Sequence, residues 1–383
     1  MIGSSEPTHG VDTIDLQQEI VRLQALLETS RQVHSAIRQD EVISTVLRIV
    51  VRELELPGAL ITDPMTSYGE VPAAPWEGCF RFPLHDKDGR HLTELIVATP
   101  EGRPLTIYEE DFLERLALQA GVAIENARYY ERSLEWVRVE QDLVAARAIQ
   151  RSLVPQTMPQ IDGYSVAVRY SACYEVGGDC VDIMGLPDGA QVMAVADVAG
   201  KGLASAIVST AFRSAFRASV AGGVALPELV SQLNRQHCAE GAEARHRYVT
   251  GIFLRLDPAS HRLEIVNAGH NPGFVARADG SVQQLQASGT PIGILPLAEY
   301  ESEVLSFPPG SRLLFYTDGL TEVYRGDEEF GTDRLLASFL GCNALECTAI
   351  LDTLWQDLRH FSGEEPLQQQ DDMTALVLMR THA

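Results

Sequence analysis

The chain has 383 residues, 45% hydrophobic and 22% charged, with a formal net charge of −23 at pH 7. This length suits two or three domains, and the composition is that of a soluble globular protein with ample chain to bury a core. The acidic excess excludes nucleic acid or an anionic membrane as a main partner, because phosphate-rich surfaces require basic patches.

Met1 to Gly10 is polar and has no signal-peptide core, so residues 1–12 are expected to be disordered. Leu16, Ile20, Leu23 and Leu27 then step at helical spacing with charges between them, a seam of coiled-coil type. A second helix is expected from Asp40 to Leu54, with Asp40 as its N-cap and Pro57-Gly58 after its end. Ala59–Thr62 and Cys79–Leu84 read as short strands. Asp88-Gly89 reads as a hairpin turn into a strand over Leu92–Ala98.

A further helix starts near Thr106. Its apolar positions Phe112, Leu116, Ala120, Ala123, Ile124 and Ala127 continue in register through Tyr130, Leu134, Val137, Val144 and Ala148. No glycine or proline interrupts it between Val122 and Val154, and Val154-Pro155 ends it. Its later flanks are too charged for burial all round, which favours pairing with a partner helix.

From Pro155 the texture changes to short apolar runs with glycine turns. Strands are expected at Val166–Tyr170, Val192–Ala196, Gly251–Leu256, Leu263–Ala268, Gly273–Ala276, Arg312–Tyr316 and Thr374–Met379. Helices are expected at Leu203–Ala221, Pro227–Ala239, Thr332–Leu340 and Leu345–Phe361. Strands clustered with two helical pairs predict an α/β/β/α sandwich rather than alternating βαβ units.

Four aspartates carry the chemistry. Asp197 follows the apolar run Val192–Ala196 and precedes Gly200 and Gly202. Asp318 follows Leu313–Tyr316 and precedes Gly319. Asp179 follows Gly177-Gly178, and Asp371 precedes the C-terminal strand. Carboxylates that meet repel and raise one another's pKa unless a divalent cation neutralises them. Their hard oxygens suit Mg²⁺ or Mn²⁺, and two such ions suit hydrolysis of a phosphate ester. Taken singly, each such aspartate reads better as a residue that closes a turn or caps a helix; their joint occurrence shifts the reading to a site.

Read with their neighbours, these residues resemble the metal-dependent protein phosphatases of type 2C, in the bacterial SpoIIE/RsbU branch. The matching segments are Ala148–Pro155, Val176–Asp179, Ala196–Gly202, Asn267–Pro272, Gly289–Gly293, Tyr316–Glu322 and Asp371–Thr374, in family order. The resemblance implies that Asp197 bridges two Mn²⁺ or Mg²⁺ ions, with the Val198 carbonyl on one of them, and that Asp179, Asp318 and Asp371 complete the shell. It implies hydrolysis of phosphoserine or phosphothreonine by a metal-activated water. It also implies a phosphorylated anti-sigma-factor antagonist of the STAS type as substrate, within a partner-switching pathway. An inactive binding module on the same fold and a hydrolase of small phosphate esters are the alternatives.

Where the family reads Gly-Gly-Asp-Phe-Tyr-Asp, this chain has Gly177-Gly178-Asp179-Cys180-Val181-Asp182. Asp182 is then a further metal residue, a support for one, or a turn carboxylate; the role of Asp372 is also open. His270 reads as a general acid or, better, as a structural turn residue. Lys201 reads as an attractor of phosphate or as a solvated charge. Cys180 reads as a metal-activated thiol or, better, as a small buried hydrophobe.

Residues 13–127 resemble a GAF sensor domain with an unknown ligand or regulator, residues 128–155 a linker helix that joins two copies as a homodimer, and residues 156–383 the phosphatase domain. The six cysteines form no Cys-x-x-Cys pair, so zinc is not expected, and they read as the reduced thiols of a cytoplasmic protein.

Overall fold

A computed structural model describes residues 28, 31–33, 35–100, 103–342, 346–363, 367 and 369–381. The segment expected to be disordered and the Leu16–Leu27 seam lie outside the described residues. The chain divides into two compact units, residues 1–140 and 141–383.

In the first unit, helix α1 (Gln39–Glu53) is followed by strands β1 (Gly58–Thr62), β2 (Met65–Gly69), β3 (Phe80–His85) and β4 (His91–Ala98). The strands form one antiparallel sheet in the order β2-β1-β4-β3. Strand β2 was not expected: its Met65-Thr66-Ser67-Tyr68-Gly69 pattern is almost wholly exposed, as an edge strand allows. Asp40 is not the N-cap of α1. The first helical bond runs from the Val42 N–H to the Arg38 carbonyl, which makes Arg38 the cap residue. Asp40 instead lies in the first turn, where it pairs with Arg38 at 3.1 Å.

Helix α2 (Ile107–Leu153) is 47 residues long and ends, as its sequence predicts, just before Val154-Pro155. Its start is a capping box: the Thr106 hydroxyl accepts the Glu109 N–H at 3.2 Å, and the Thr106 N–H donates to Glu109 at 2.7 Å. Its buried residues all lie between Glu109 and Ala127, where Phe112, Leu116, Ala120 and Ile124 join Val42, Val46 and Leu95 in the core of this unit. Beyond that stretch Leu134, Trp136, Val137 and Val144 are exposed.

The second unit adds β5 (Tyr164–Ser171), β6 (Cys180–Gly185), β7 (Gln191–Val198), α3 (Leu203–Ala221), α4 (Leu226–Ala239), α5 (Ala242–Arg245), β8 (Val249–Asp257), β9 (Arg262–Ala268), β10 (Gly273–Ala276), β11 (Val282–Leu285), β12 (Glu303–Ser306), β13 (Arg312–Tyr316), β14 (Tyr324–Arg325), β15 (Glu328–Glu329), α6 (Gly331–Gly341), α7 (Cys347–Ser362) and β16 (Met373–Arg380). Two five-stranded antiparallel sheets result, β11-β10-β13-β16-β5 and β12-β9-β8-β7-β6.

The layering follows from the two-residue period of a strand. In β7, Met193 and Val195 enter the core between the sheets, while Val192, Ala194, Ala196 and Val198 pack with Phe212, Phe216 and Leu229 of α3 and α4. In β16, Leu376 and Leu378 enter the same central core, while Met373, Ala375 and Val377 pack with Leu354 and Leu358 of α7. This is the expected α/β/β/α sandwich. Strand β6 was not expected, because Asp182 interrupts its apolar pattern. It forms because Asp182, on the face with Cys180, lies at 3.1 Å from Arg213 and 3.0 Å from Arg217 of α3. Among the described residues, no helix is long and apolar enough to cross a membrane.

Candidate active site

The four aspartates singled out in the sequence meet at one end of the central core. Asp197 is the penultimate residue of β7 and shares the strand face of Met193 and Val195, so its carboxylate continues the inter-sheet layer at its open end. Asp318 opens a short 3-10 turn just after β13. Asp179 immediately precedes β6, and Asp371 and Asp372 precede β16. The paired strands β6 and β7 deliver two of these positions and the paired strands β13 and β16 the others.

The charges are strongly coupled. Burial, and then Asp318, Asp371 and Asp372, push Asp197 up to about 7. Burial, then Glu322 and Asp371, raise Asp318 to about 6. Asp179 is pushed well above the carboxylate range by burial and by Asp197 and Asp372. The hydroxyls of Thr317 and Thr374 both donate to Asp179 Oδ2, at 2.7 and 2.5 Å, and partly offset that rise. Neither threonine was singled out in the sequence, although each stands beside a predicted aspartate in Thr317-Asp318 and Asp372-Met373-Thr374.

Asp371 and Asp372 are adjacent and differ in use. Asp372 is buried, and its two oxygens accept the N–H groups of Cys173 at 2.8 Å and Gly178 at 2.5 Å. It ties the Gly177-Gly178-Asp179 turn to the start of β16. A side chain at Gly177 would collide with that carboxylate, and a Cβ at Gly178 would lie 2.9 Å from the Val198 carbonyl oxygen. Both glycines are therefore needed for close approach. Asp371 accepts the Asp372 N–H on Oδ1 at 2.8 Å and pairs through Oδ2 with Lys201 Nζ at 2.7 Å. Lys201 is therefore ion-paired within the site, although its side chain stays 44% exposed.

The end of helix α2 reaches the same turn. Arg147 donates to the carbonyls of Tyr174 and Glu175, at 3.0 and 2.8 Å. Gln150 bonds both backbone groups of Gly177, and it accepts the Tyr170 hydroxyl at 3.2 Å. From α3, the Ser209 hydroxyl donates to the Asp179 carbonyl at 3.1 Å.

Three open residues acquire places. Asp182 points to α3 and its two arginines, away from the aspartate cluster. Burial pushes the Cys180 thiol up to about 12, so it packs as a hydrophobe and does not ionise. His270 is buried between Thr250, whose hydroxyl meets Nδ1 at 2.9 Å, and the Tyr316 carbonyl, 3.0 Å from Nε2. Burial lowers its pKa to about 4, and the neutral ring donates from Nε2 and accepts at Nδ1. It braces the strand before Asp318, which is the structural reading.

One further acidic group was not foreseen. Ligand atoms of Asp86, Asp88 and Glu125, in the first unit, lie within 4.8 Å of one another. Local backbone bonds account for two of them: Asp86 accepts the N–H groups of Asp88 and Arg90, and Glu125 accepts that of Lys87.

Comparison with known proteins gives a consistent assignment. Residues 187–381 match the family model for Stage II sporulation protein E (SpoIIE). Phosphoserine phosphatase RsbP of Bacillus subtilis is 31% identical over 193 residues, which cover 49% of this chain and 46% of that protein. Protein IcfG of Synechocystis is 26% identical over 267 residues, covering 62% of this chain and 41% of that protein. The chain thus spans less than half the length of these two relatives. Among solved structures, the SiaA-PP2C domain of Pseudomonas aeruginosa superposes with a TM-score of 0.57 at 20% identity, over 65% of this chain and 99% of that domain. The second unit therefore has a PP2C-type fold.

Proposed function

We propose, on the premise that this chain belongs to the Stage II sporulation protein E (SpoIIE) family, that it is a Mn²⁺- or Mg²⁺-dependent protein-serine/threonine phosphatase. The observation that carries the reading is the convergence of Asp179, Asp197, Asp318, Asp371 and Asp372, with Asp197 raised to about 7 and Asp318 to about 6. Such a density of carboxylate is stable in its ionised form only beside cations.

The donor set fits the metal. Asp179, Asp197, Asp318 and Asp371, with the Val198 carbonyl, are hard oxygen ligands of the kind Mg²⁺ and Mn²⁺ take. When bound, the ions supply an acidified water and neutralise the charge of the phosphate. The chain's own part is to hold these oxygens in place. Thr317 and Thr374 fix one oxygen of Asp179, Asp372 fixes the turn that carries it, and the strand pair β6–β7 sets Asp179 against Asp197. Buried neutral His270 is taken up by Thr250 and the Tyr316 carbonyl and serves no general-acid role.

The substrate we propose is a phosphorylated anti-sigma-factor antagonist of the STAS type in a partner-switching pathway. Membership of the family supports this, as does similarity to a relative named as a phosphoserine phosphatase. The first unit is proposed as a GAF-like regulatory domain, residues 13–127, with residues 128–155 as a dimerising linker and 156–383 as the phosphatase domain. The exposed apolar residues of α2 support the linker role.

The test is hydrolysis of a phosphoserine peptide with Mn²⁺ by wild type and by Asp197→Asn. Loss of turnover in the variant is expected. Turnover retained in Asp197→Asn overturns the mechanism.

A further inference from the structure

Among the five clustered aspartates, Asp371 differs in the kind of partner it has. Asp179 is held by two neutral hydroxyls and Asp372 by two backbone N–H groups. Among the described residues, only Asp371 of the five lies in an ion pair, with Lys201 Nζ at 2.7 Å from Oδ2. The same ammonium donates to the Gln370 carbonyl at 2.5 Å. The other oxygen of Asp371 accepts the Asp372 N–H. Both oxygens thus carry donors, and one of those donors is a full positive charge.

The lysine is delivered there by the turn that follows Asp197. Gly200 and Gly202 flank it with φ of +97° and +74°, a left-handed backbone that favours glycine on both sides. The side chains of Lys201 and Asp371 are 44% and 25% exposed. At that exposure a pair is modest in strength and exchanges with solutes, unlike a sealed buried bridge.

We propose that Lys201 is an internal competitor for the divalent cation at Asp371. Its ammonium holds the carboxylate oxygen that an incoming ion needs, so the ion served by Asp371 binds more weakly than it would to a free carboxylate. Cation exchanges for cation at Oδ2, with no proton gained or lost by Asp371 itself. The two ions of the site are then unequal, and occupancy of the weaker one follows the free Mn²⁺ or Mg²⁺ concentration. This rests on the reading of Asp371 as a metal ligand.

The test is calorimetric titration of Mn²⁺ into the chain of residues 1–383, without substrate, for wild type, Lys201→Gln, Lys201→Arg, Asp371→Asn and the double variant of Lys201→Gln with Asp371→Asn. Competition predicts that Lys201→Gln tightens the weaker binding event about fivefold, that Lys201→Arg retains wild-type affinity, and that Lys201→Gln has no effect in the Asp371→Asn background. Equal tightening in both backgrounds overturns the proposal, because it shows a general charge effect. No tightening from Lys201→Gln in the wild-type background overturns it too. If Asp371→Asn leaves Mn²⁺ binding untouched, the ligand reading itself fails. Circular dichroism of each variant establishes folding, and Lys201→Met serves as a second neutral variant should Lys201→Gln not fold.

Discussion

Gln150 and Gly177 exchange two hydrogen bonds: the Gln150 side-chain amide donates to the Gly177 carbonyl at 2.7 Å, and the Gly177 N–H donates to Gln150 Oε1 at 3.0 Å. The last turn of α2 thereby grips a peptide two residues before Asp179. Gln150→Ala removes both bonds, each worth about 1 kcal/mol net. A fall in kcat/KM of about tenfold is expected, since 1.36 kcal/mol is a factor of ten in rate, with a smaller change in melting temperature. Gln150→Glu sets a carboxylate against the Gly177 carbonyl and is expected to be worse. Steady-state kinetics on a phosphopeptide and thermal melting check both.

Asp182 neutralises two guanidinium groups and is itself 1% exposed. Asp182→Asn leaves Arg213 and Arg217 facing each other without an anion. Breaking a fully buried pair costs about 3–5 kcal/mol. Because Arg217 is 44% exposed, water compensates part, and about 2 kcal/mol is expected. The urea midpoint of the metal-free chain measures it. An unchanged midpoint would show that α3 does not depend on this anchor.

The aspartate cluster ties stability to pH. Asp197 and Asp318 are raised from 3.8 to about 7 and about 6. In that window the folded state holds protons that the unfolded chain has released, so stability from these groups is present below pH 3.8 and lost as pH rises through 6 to 7. With chelator present, Asp197→Asn is expected to flatten the fall of melting temperature across this range. Added Mn²⁺ is expected to reverse the fall and to release protons on binding, with calorimetry in buffers of different ionisation enthalpy as the measure.

His270 gives the opposite sign. Its pKa is lowered from 6.5 to about 4 by burial, so its contribution to stability is present above 6.5 and lost as pH falls toward 4. His270→Ala loses its bonds to Thr250 and Tyr316 and is expected to cost about 1–3 kcal/mol. The shape of the pH–rate profile should remain that of wild type, whereas a lost alkaline limb would restore the general-acid role.

Much of the sandwich was legible because apolar runs and glycine turns report strands directly. Gly273–Ala276, Arg312–Tyr316 and Leu203–Ala221 were read to the residue. What escaped was whatever depends on distant partners. Strand β6 was hidden by a charge that Arg213 and Arg217 neutralise more than thirty positions later. The hydroxyls on Asp179 come from Thr317 and Thr374, and threonine beside aspartate is common in turns. Gln150 was noted only as part of the Ala148–Pro155 segment, because its two bonds to Gly177 span a loop that no periodicity describes. Lys201 remained ambiguous for the same reason, since its partner Asp371 lies far along the chain.

Strand β16 lies between β13 and β5, and β5 has no other strand neighbour in its sheet. The strand made first in this sheet must therefore wait for the one made last. Thr374 and Asp372, which secure the Asp179 turn, arrive with that same late segment. Pairings of such sequence separation close slowly, because their loop entropy is lost before any contact repays it. A growing chain on the ribosome would hold Asp179 and Asp197 long before it could seat them. Assembly of the aspartate cluster is thereby postponed until β16 pairs with β13 and β5.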